Sequence, residues 1–240
     1  MSRNLIAAVD GMKRVVALNL AEKLVSSSYL WGFKGNDVLL EGDPKDTITR
    51  FTGLGNFFAD YKFHDIPNTV YNQVARIAGY GAALISAHAS GGVEMIKGAV
   101  RAYEEYGPHD GSGILAITVL TSIDQKNCFR IYGTDPLSRV KELATIAKEG
   151  GAWGIVCSPQ EVGELSTMSS LKGLKFVTPG IRPAGSAAGD QARFATPENA
   201  VANGSDLLVI GRPITDAPDP LAALNAIGES LALVRKSSLS

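Results

Sequence analysis

The chain carries two aspartates and a lysine within six residues, in the segment Asp60-Tyr61-Lys62-Phe63-His64-Asp65. The apolar residues before it predict a strand, in which side chains alternate between two faces, so Asp60 and Lys62 point to the same side. A lysine held beside carboxylates stays cationic. Such a group can stabilise a developing negative charge and deliver a proton. On its own, the pattern is also compatible with solvated charges at the end of a surface strand.

The elements that must position this segment alternate between strand and helix along the chain. Short apolar runs predict eight strands, at 15–19, 30–34, from 57, 82–88, 113–120, 154–157, 176–178 and 207–210. Helical spacing predicts helices between them, and Pro67 ends the central strand where one of these helices begins. Eight strand-helix units of about 30 residues fit the chain length. The sequence therefore predicts an α/β protein, a (β/α)8 TIM barrel that forms one domain over residues 1–240.

Three segments lie outside this regular alternation. Residues 3–12 are compatible with a short helix that closes the lower end of the barrel, and residues 236–240 are expected to form a disordered tail. The connection 180–191 is rich in glycine and alanine and is too irregular to pack in a core. Long loops of this kind in compact domains are usually functional lids or mobile segments.

Composition excludes several classes of partner. The 240 residues carry a formal net charge of −1, so the chain has no basic field to attract nucleic acid or an anionic membrane. No segment approaches about 18 uninterrupted apolar residues, and the N-terminus lacks a signal-peptide pattern. We therefore expect a cytoplasmic protein. The two cysteines stand singly, and no His-Asp-Glu cluster has the spacing of metal ligands, so no metal is expected.

A phosphate site is predicted where the loops after strands seven and eight meet, because barrels of this type often bind phosphate there. Arg182 follows the seventh strand, and Gly211 and Arg212 follow the eighth. Glycine lets backbone N–H groups approach an oxyanion, and a guanidinium fits phosphate with two parallel hydrogen bonds. Either loop alone is equally compatible with a phosphate site and with an ordinary turn. Together they favour a phosphate site.

The string DYKFHDIPNT at 60–69 resembles the signature of the bacterial orotidine 5′-phosphate decarboxylase family. Other strings that resemble family landmarks follow the family order: FKG at 33–35, HASGG at 88–92, TVLTS at 118–122, VTPGIRP at 177–183, GDQ at 189–191, TPE at 196–198 and GRPIT at 211–215. The resemblance implies a (β/α)8 barrel that converts orotidine 5′-monophosphate to UMP and carbon dioxide in pyrimidine synthesis. It also implies that no cofactor is used.

The resemblance assigns catalytic roles to four residues of this chain. Lys62 matches the catalytic lysine, Asp60 and Asp65 match the flanking acids, and Lys34 matches a second active-site lysine. In this family two barrels pack with their open ends together. The resemblance therefore implies a homodimer in which Asp65 and Thr69 complete the site of the neighbouring protomer.

The resemblance also assigns residues to the substrate. Thr121 is expected near the pyrimidine, and the phosphate is expected to be surrounded by Arg182, Gln191, Gly211 and Arg212. At the end of the first strand the family usually has Ala-Leu-Asp, whose acid holds the ribose hydroxyls and pairs with the lysine of strand two. Here the predicted strand ends in Ala17-Leu18-Asn19. Asn19 would therefore bind the ribose with one negative charge fewer, and Asn19→Asp would raise kcat/KM.

Two other functions remain open from the sequence. The first is a Mg²⁺-dependent sugar-phosphate lyase of the same superfamily, which shares the DxKxxD core; the continuation IPNT argues against it. The second is an inactive barrel that binds a nucleotide, which the intact acids and lysine disfavour. Activity on orotidine 5′-monophosphate that survives EDTA would exclude the lyase, and an ultraviolet assay of substrate consumption is the most informative experiment.

Overall fold

The computed structural model describes residues 3–108, 111–183 and 194–237. Within these ranges, eight parallel strands pair in sequence order, and the last strand pairs with the first, so the sheet closes into a barrel. Helices follow the strands and pack around the outside. The predicted (β/α)8 barrel is confirmed, and all catalytic groups of such a barrel are expected at the carboxyl ends of its strands.

The strands are short apolar runs that fit a parallel sheet buried on both faces. Their bounds are β1 (Leu5–Ala8), β2 (Leu30–Gly35), β3 (Asn56–Phe63), β4 (Leu84–His88), β5 (Gly113–Ile117), β6 (Gly154–Val156), β7 (Lys175–Thr178) and β8 (Leu207–Ile210). Alternate side chains form a separate inner cluster made of Ile6, Phe58, Leu84, Leu115, Val177, Leu207 and Val209. This cluster fills the middle of the barrel, so ligands have room only at its ends.

The helices bury one face against the outside of the sheet. Their bounds are α1 (Arg14–Leu24), α2 (Pro44–Thr52), α3 (Pro67–Ala78), α4 (Val93–Tyr106), α5 (Gln125–Tyr132), α6 (Pro136–Glu149), α7 (Val162–Thr167), α8 (Pro197–Ala202), α9 (Arg212–Thr215) and α10 (Pro220–Ser237). Several begin with proline, which lacks an N–H and has φ already set for a helix. Short 3-10 turns at 37–40, 89–91 and 169–171 complete the connections.

The prediction for the start of the chain is wrong in two places. Residues 3–12, predicted as a plug helix, contain β1, and residues 15–19, predicted as the first strand, lie in α1. Leu5 is fully buried, whereas Val15 and Val16 are 62% and 52% exposed. A short apolar run fits a strand or a buried helix equally well by periodicity. Pairing of the true β1 with both β2 and β8 decides between them.

The C-terminal part of the chain also differs from its prediction. α10 continues to Ser237, so residues 236 and 237 are helical and do not belong to a disordered tail. Residues 238–240 lie outside the described residues. No helix is predicted from the sequence where α5 forms, a helix of eight residues that the Asp124 side chain caps. None of the helices within the described ranges is long and apolar enough to cross a membrane.

Candidate active site

A bulge near the end of β3 sets the positions of Asp60 and Lys62. The pairing of β3 with β4 shifts between Ala59 and Phe63, so that three residues of β3 lie opposite one residue of β4. Lys62 has φ of 54°, and it is the only non-glycine residue with positive φ in the described part of the chain. This left-handed conformation costs about 1–2 kcal/mol. Backbone strain of this kind is concentrated at functional sites.

Four charged side chains form a continuous chain of ion pairs, which we call the charge chain: Asp10, Lys34, Asp60 and Lys62. Lys62 Nζ lies 2.6 Å from Asp60 Oδ2, and Lys34 Nζ lies 3.2 Å from the same oxygen. Lys34 Nζ also donates to Asp10 Oδ2. The signs alternate along the chain, and its members come from β3, β2 and the segment after β1. Asp60 and Lys62 therefore do point to the same side, as the sequence predicted.

Burial and ion pairing shift the pKa values of the two central groups of the charge chain in opposite directions. Burial by itself would lower the pKa of Lys34, but the carboxylates of Asp60 and Asp10 outweigh it, so the pKa is raised. Burial would raise the pKa of Asp60, but Lys34, Lys62 and the Ser86 hydroxyl outweigh it, so the pKa is lowered. Both groups are therefore ionised at neutral pH.

Asp10 occupies the place that the sequence predicted for Asn19. Asn19 lies on the exposed face of α1. Asp10 follows β1 directly: its Oδ2 accepts from Lys34, and its Oδ1 accepts from the Asn36 N–H at 2.8 Å. The assignment of Asn19 to the ribose is wrong, because residues 15–19 lie in α1 and the first strand comes earlier in the chain. The string Ala8-Val9-Asp10 was the signal that could have found the acid, since it differs from Ala-Leu-Asp only at its middle residue.

The charge chain lines one side of a cavity of about 710 Å³ at the carboxyl end of the barrel. Among the predicted site residues, those that line it are Lys34, Asp60, Lys62, Thr121, Arg182, Gly211 and Arg212. Four apolar side chains from the strands, Phe58, Ile117, Val156 and Val209, contribute to its lining. A second cavity of about 380 Å³ lies at the opposite end, lined by residues such as Trp31 and Asn56. Seven of the predicted site residues therefore meet at the first cavity.

Arg182 and Arg212 make one part of this cavity cationic. The Arg182 side chain is largely buried, and its Nε has no hydrogen-bond partner in the described ranges. Burial and the nearby Arg212 guanidinium lower the pKa of Arg182, against the opposite effect of Asp216. Two neighbouring guanidinium groups repel each other, and an oxyanion between them would relieve that repulsion. The pair therefore suits the phosphate predicted for these loops.

The loop after β7 begins and ends beside Arg182. The Arg182 N–H donates to the Ala195 carbonyl at 2.9 Å, and the Ala195 N–H donates to the Gly180 carbonyl at 3.2 Å. Residues 184–193 lie outside the described residues. Most of the predicted lid at 180–191 falls on this segment, as does the phosphate contact of Gln191, and both stay predictions.

Asp65 and Thr69 lie beyond the end of β3. Asp65 is exposed, and its Oδ1 accepts from the Ile66 N–H at 2.6 Å. Within the described part of the chain, Asp65 forms no ion pair with Lys62, and neither Asp65 nor Thr69 lines the cavity. A single protomer thus does not bring these two residues to its own charge chain.

These features define a (β/α)8-barrel enzyme with a charged cavity at the carboxyl ends of its strands. The model of the Orotidine 5′-phosphate decarboxylase / HUMPS family matches residues 3–227, and the chain belongs to this family.

Named relatives and a solved structure agree with this assignment. Orotidine 5′-phosphate decarboxylase of Paramagnetospirillum magneticum is 44% identical, over 94% of this chain and 97% of that protein. The enzyme of the same name from Actinobacillus pleuropneumoniae serotype 5b is 47% identical, over 72% of this chain and 75% of that protein. The crystal structure of orotidine 5′-phosphate decarboxylase from Lactobacillus acidophilus superposes with a TM-score of 0.82 at 34% identity. The match covers 96% of this chain and 99% of that one.

Proposed function

We propose that the protein decarboxylates orotidine 5′-monophosphate to UMP and carbon dioxide, in de novo pyrimidine synthesis. The observation that carries the proposal is the charge chain ending in Lys62, which shares one cavity with Arg182 and Arg212. Membership of the family supports it. Because the substrate is a small molecule and the net charge is −1, we also propose a cytoplasmic enzyme with no nucleic-acid or membrane partner.

The chemistry requires a group that stabilises negative charge and then supplies a proton. Loss of carbon dioxide from C6 of the pyrimidine leaves a carbanion that no ring group easily delocalises. The Lys62 ammonium meets both needs, since it stabilises the developing charge and then protonates C6. Asp60 holds the Lys62 ammonium in place through their 2.6 Å ion pair. No step of this mechanism uses a metal or a cofactor.

We propose that different parts of the cavity bind the phosphate, the pyrimidine and the ribose of the nucleotide. Arg182 and Arg212 would hold the phosphate, Thr121 would contact the pyrimidine, and Asp10 with Lys34 would bind the ribose hydroxyls. Phosphate binding far from C6 would then position the ring against Lys62. Binding energy from the remote phosphate is in this way used at the reacting carbon.

An ultraviolet assay of orotidine 5′-monophosphate consumption, run with and without EDTA, tests the proposed function. We expect consumption of the substrate, formation of UMP and no loss of rate in EDTA. A Mg²⁺-dependent sugar-phosphate lyase would instead leave this substrate intact. A barrel that only binds nucleotides would bind UMP without any turnover, and either result would overturn the proposal.

The phosphate region is tested by comparing two substrates. Arg212→Ala is expected to lower kcat/KM on orotidine 5′-monophosphate on the order of 10- to 100-fold, since it removes charge-assisted hydrogen bonds to the phosphate. Activity on orotidine, which lacks the phosphate, should change little. We expect the same pattern for Gln191→Ala. Arg50→Ala removes an exposed charge from α2 and serves as the control. Equal losses on both substrates would contradict the phosphate role.

We propose further that two protomers share their sites, with Asp65 and Thr69 of each reaching the cavity of the other. The exposed position of Asp65 outside its own cavity supports this. Two apolar side chains at the same end of the barrel, Ile66 and Leu40, are 67% and 78% exposed. Exposed apolar residues around a site are what an interface would cover.

Mixing two inactive variants tests the shared site. We expect Lys62→Ala and Asp65→Ala proteins, each with almost no activity, to recover turnover when their subunits exchange. In each mixed dimer one site holds both an intact lysine and an intact partner aspartate, so recovery should approach about a quarter of wild-type activity. Native mass spectrometry would confirm the exchange. Verified exchange without any recovery would rule out the shared site.

A further inference from the structure

Ser86 lies on β4 opposite the bulge of β3. The residues on either side of it pair regularly with β3, Ile85 with Ala59 and Ala87 with Phe63, so Ser86 alone faces the three residues 60–62. Its side chain is fully buried. Within the described ranges it is not part of the cavity lining, so a substrate in the cavity would not touch it.

The Ser86 hydroxyl connects the backbone of Lys62 to the carboxylate of Asp60. It accepts from the Lys62 N–H at 2.8 Å and donates to Asp60 Oδ1 at 2.8 Å. The direction is fixed because a backbone N–H can only donate and an ionised carboxylate can only accept. A bulge disrupts the backbone ladder locally, and a buried N–H then needs another acceptor. Ser86 supplies that acceptor at the residue with φ of 54°.

The same hydroxyl determines which oxygen of Asp60 is available to the lysines. Because Oδ1 is taken by Ser86, both lysines converge on Oδ2, with Lys62 at 2.6 Å and Lys34 at 3.2 Å. One small side chain thus orients the carboxylate and holds the backbone of the lysine that pairs with it.

We propose that Ser86 is a positioning residue for the decarboxylation, which holds Lys62 in its left-handed conformation and aims Asp60 Oδ2 at the lysine ammonium. This inference rests on the proposed function. Ser86 acts through Asp60 and Lys62, so its removal should lower the rate of the chemical step and leave ground-state binding nearly unchanged.

Ser86→Ala is the first test. We expect kcat to fall on the order of tenfold or more, because a hydrogen bond to a charged group and the acceptor of a buried N–H are both lost. UMP affinity should stay within about threefold of wild type, since the residues proposed to bind the phosphate and the base follow other strands. Ser86→Thr keeps the hydroxyl and should restore most of the rate. Ser86→Cys has a similar size but a weak donor, so it should lose rate like the alanine variant.

The pH profile separates positioning from a general loss of structure. The charged or titratable groups around Asp60 are Lys34 on β2, Lys62 on β3 and His88 on β4. Because the pKa of Asp60 is lowered, the rate that needs its carboxylate is present above that pKa and is lost as the pH falls through it. Ser86→Ala removes one donor, so the acidic loss of kcat should move to higher pH.

Ser27 provides a matched control at the other end of the barrel. It is also buried, accepts from the Tyr29 N–H at 3.3 Å and donates to Asn225 Oδ1 at 2.6 Å. Ser27→Ala should therefore lower the melting temperature by an amount similar to Ser86→Ala, but kcat and its pH profile should not change.

The outcomes distinguish the two proposals. If the wild-type protein does not consume orotidine 5′-monophosphate, the proposed function fails. A crystal structure of Ser86→Ala would then still show whether Lys62 keeps its positive φ. If the wild-type protein is active and Ser86→Ala or Ser86→Cys retains its kcat, the positioning role is wrong. Equal losses of kcat in Ser86→Ala and Ser27→Ala would also overturn it.

Discussion

Lys62→Ala is expected to lose nearly all turnover of orotidine 5′-monophosphate while it still binds UMP. The lysine supplies both electrostatic stabilisation and the proton, each worth roughly 10²- to 10⁴-fold, so kcat should fall on the order of 10⁴-fold or more. Arg182, Arg212 and Thr121 lie in loops that follow other strands, so the substitution leaves them in place. Single-turnover assays would measure the rate, and UMP titration would measure the binding.

Two further variants define what the lysine contributes. Lys62→Arg should not restore the rate, because a planar guanidinium cannot place a compact donor at C6. Lys97→Ala removes the same charge from the exposed surface of α4 and should leave kcat unchanged. Wild-type turnover in Lys62→Ala would show that another group stabilises the carbanion.

Asp10→Asn is expected to lower kcat/KM strongly, because it removes a carboxylate from the charge chain. Asp10 is one of two carboxylates that keep the buried Lys34 charged, and its loss leaves Asp60 to serve two lysines. Charge-assisted hydrogen bonds of this kind contribute about 1.5–3 kcal/mol, so kcat/KM should fall on the order of 10- to 100-fold. The pKa of Lys34 should also fall, because one of the two charges that raise it is removed.

Asn19→Asp is the matched control for Asp10→Asn. The sequence by itself predicted a gain in kcat/KM at position 19. Because Asn19 lies exposed on α1, we now expect no change. A large gain from Asn19→Asp, together with no loss from Asp10→Asn, would contradict the assignment of the ribose acid to Asp10.

The sequence by itself determined the fold class and predicted seven of the residues that line the cavity. Seven of the eight strands were predicted in place, because their apolar runs are separated by clear helical spacing. The segment 60–65 is predicted because three charges are costly to place at the end of a strand, and the arginines at 182 and 212 because they follow the seventh and eighth strands. Such motifs can be recognised in the sequence because their residues are close together along the chain.

Only the tertiary structure decided which run forms β1, and therefore that Asp10 and not Asn19 meets Lys34. A run of a few apolar residues has no period of its own, and pairing with β2 and β8 selects it. The bulge of β3 and its hydrogen bonds to Ser86 were equally hidden. Residues 60 and 86 are far apart along the chain, and only the closed barrel places the serine hydroxyl 2.8 Å from the carboxylate it orients.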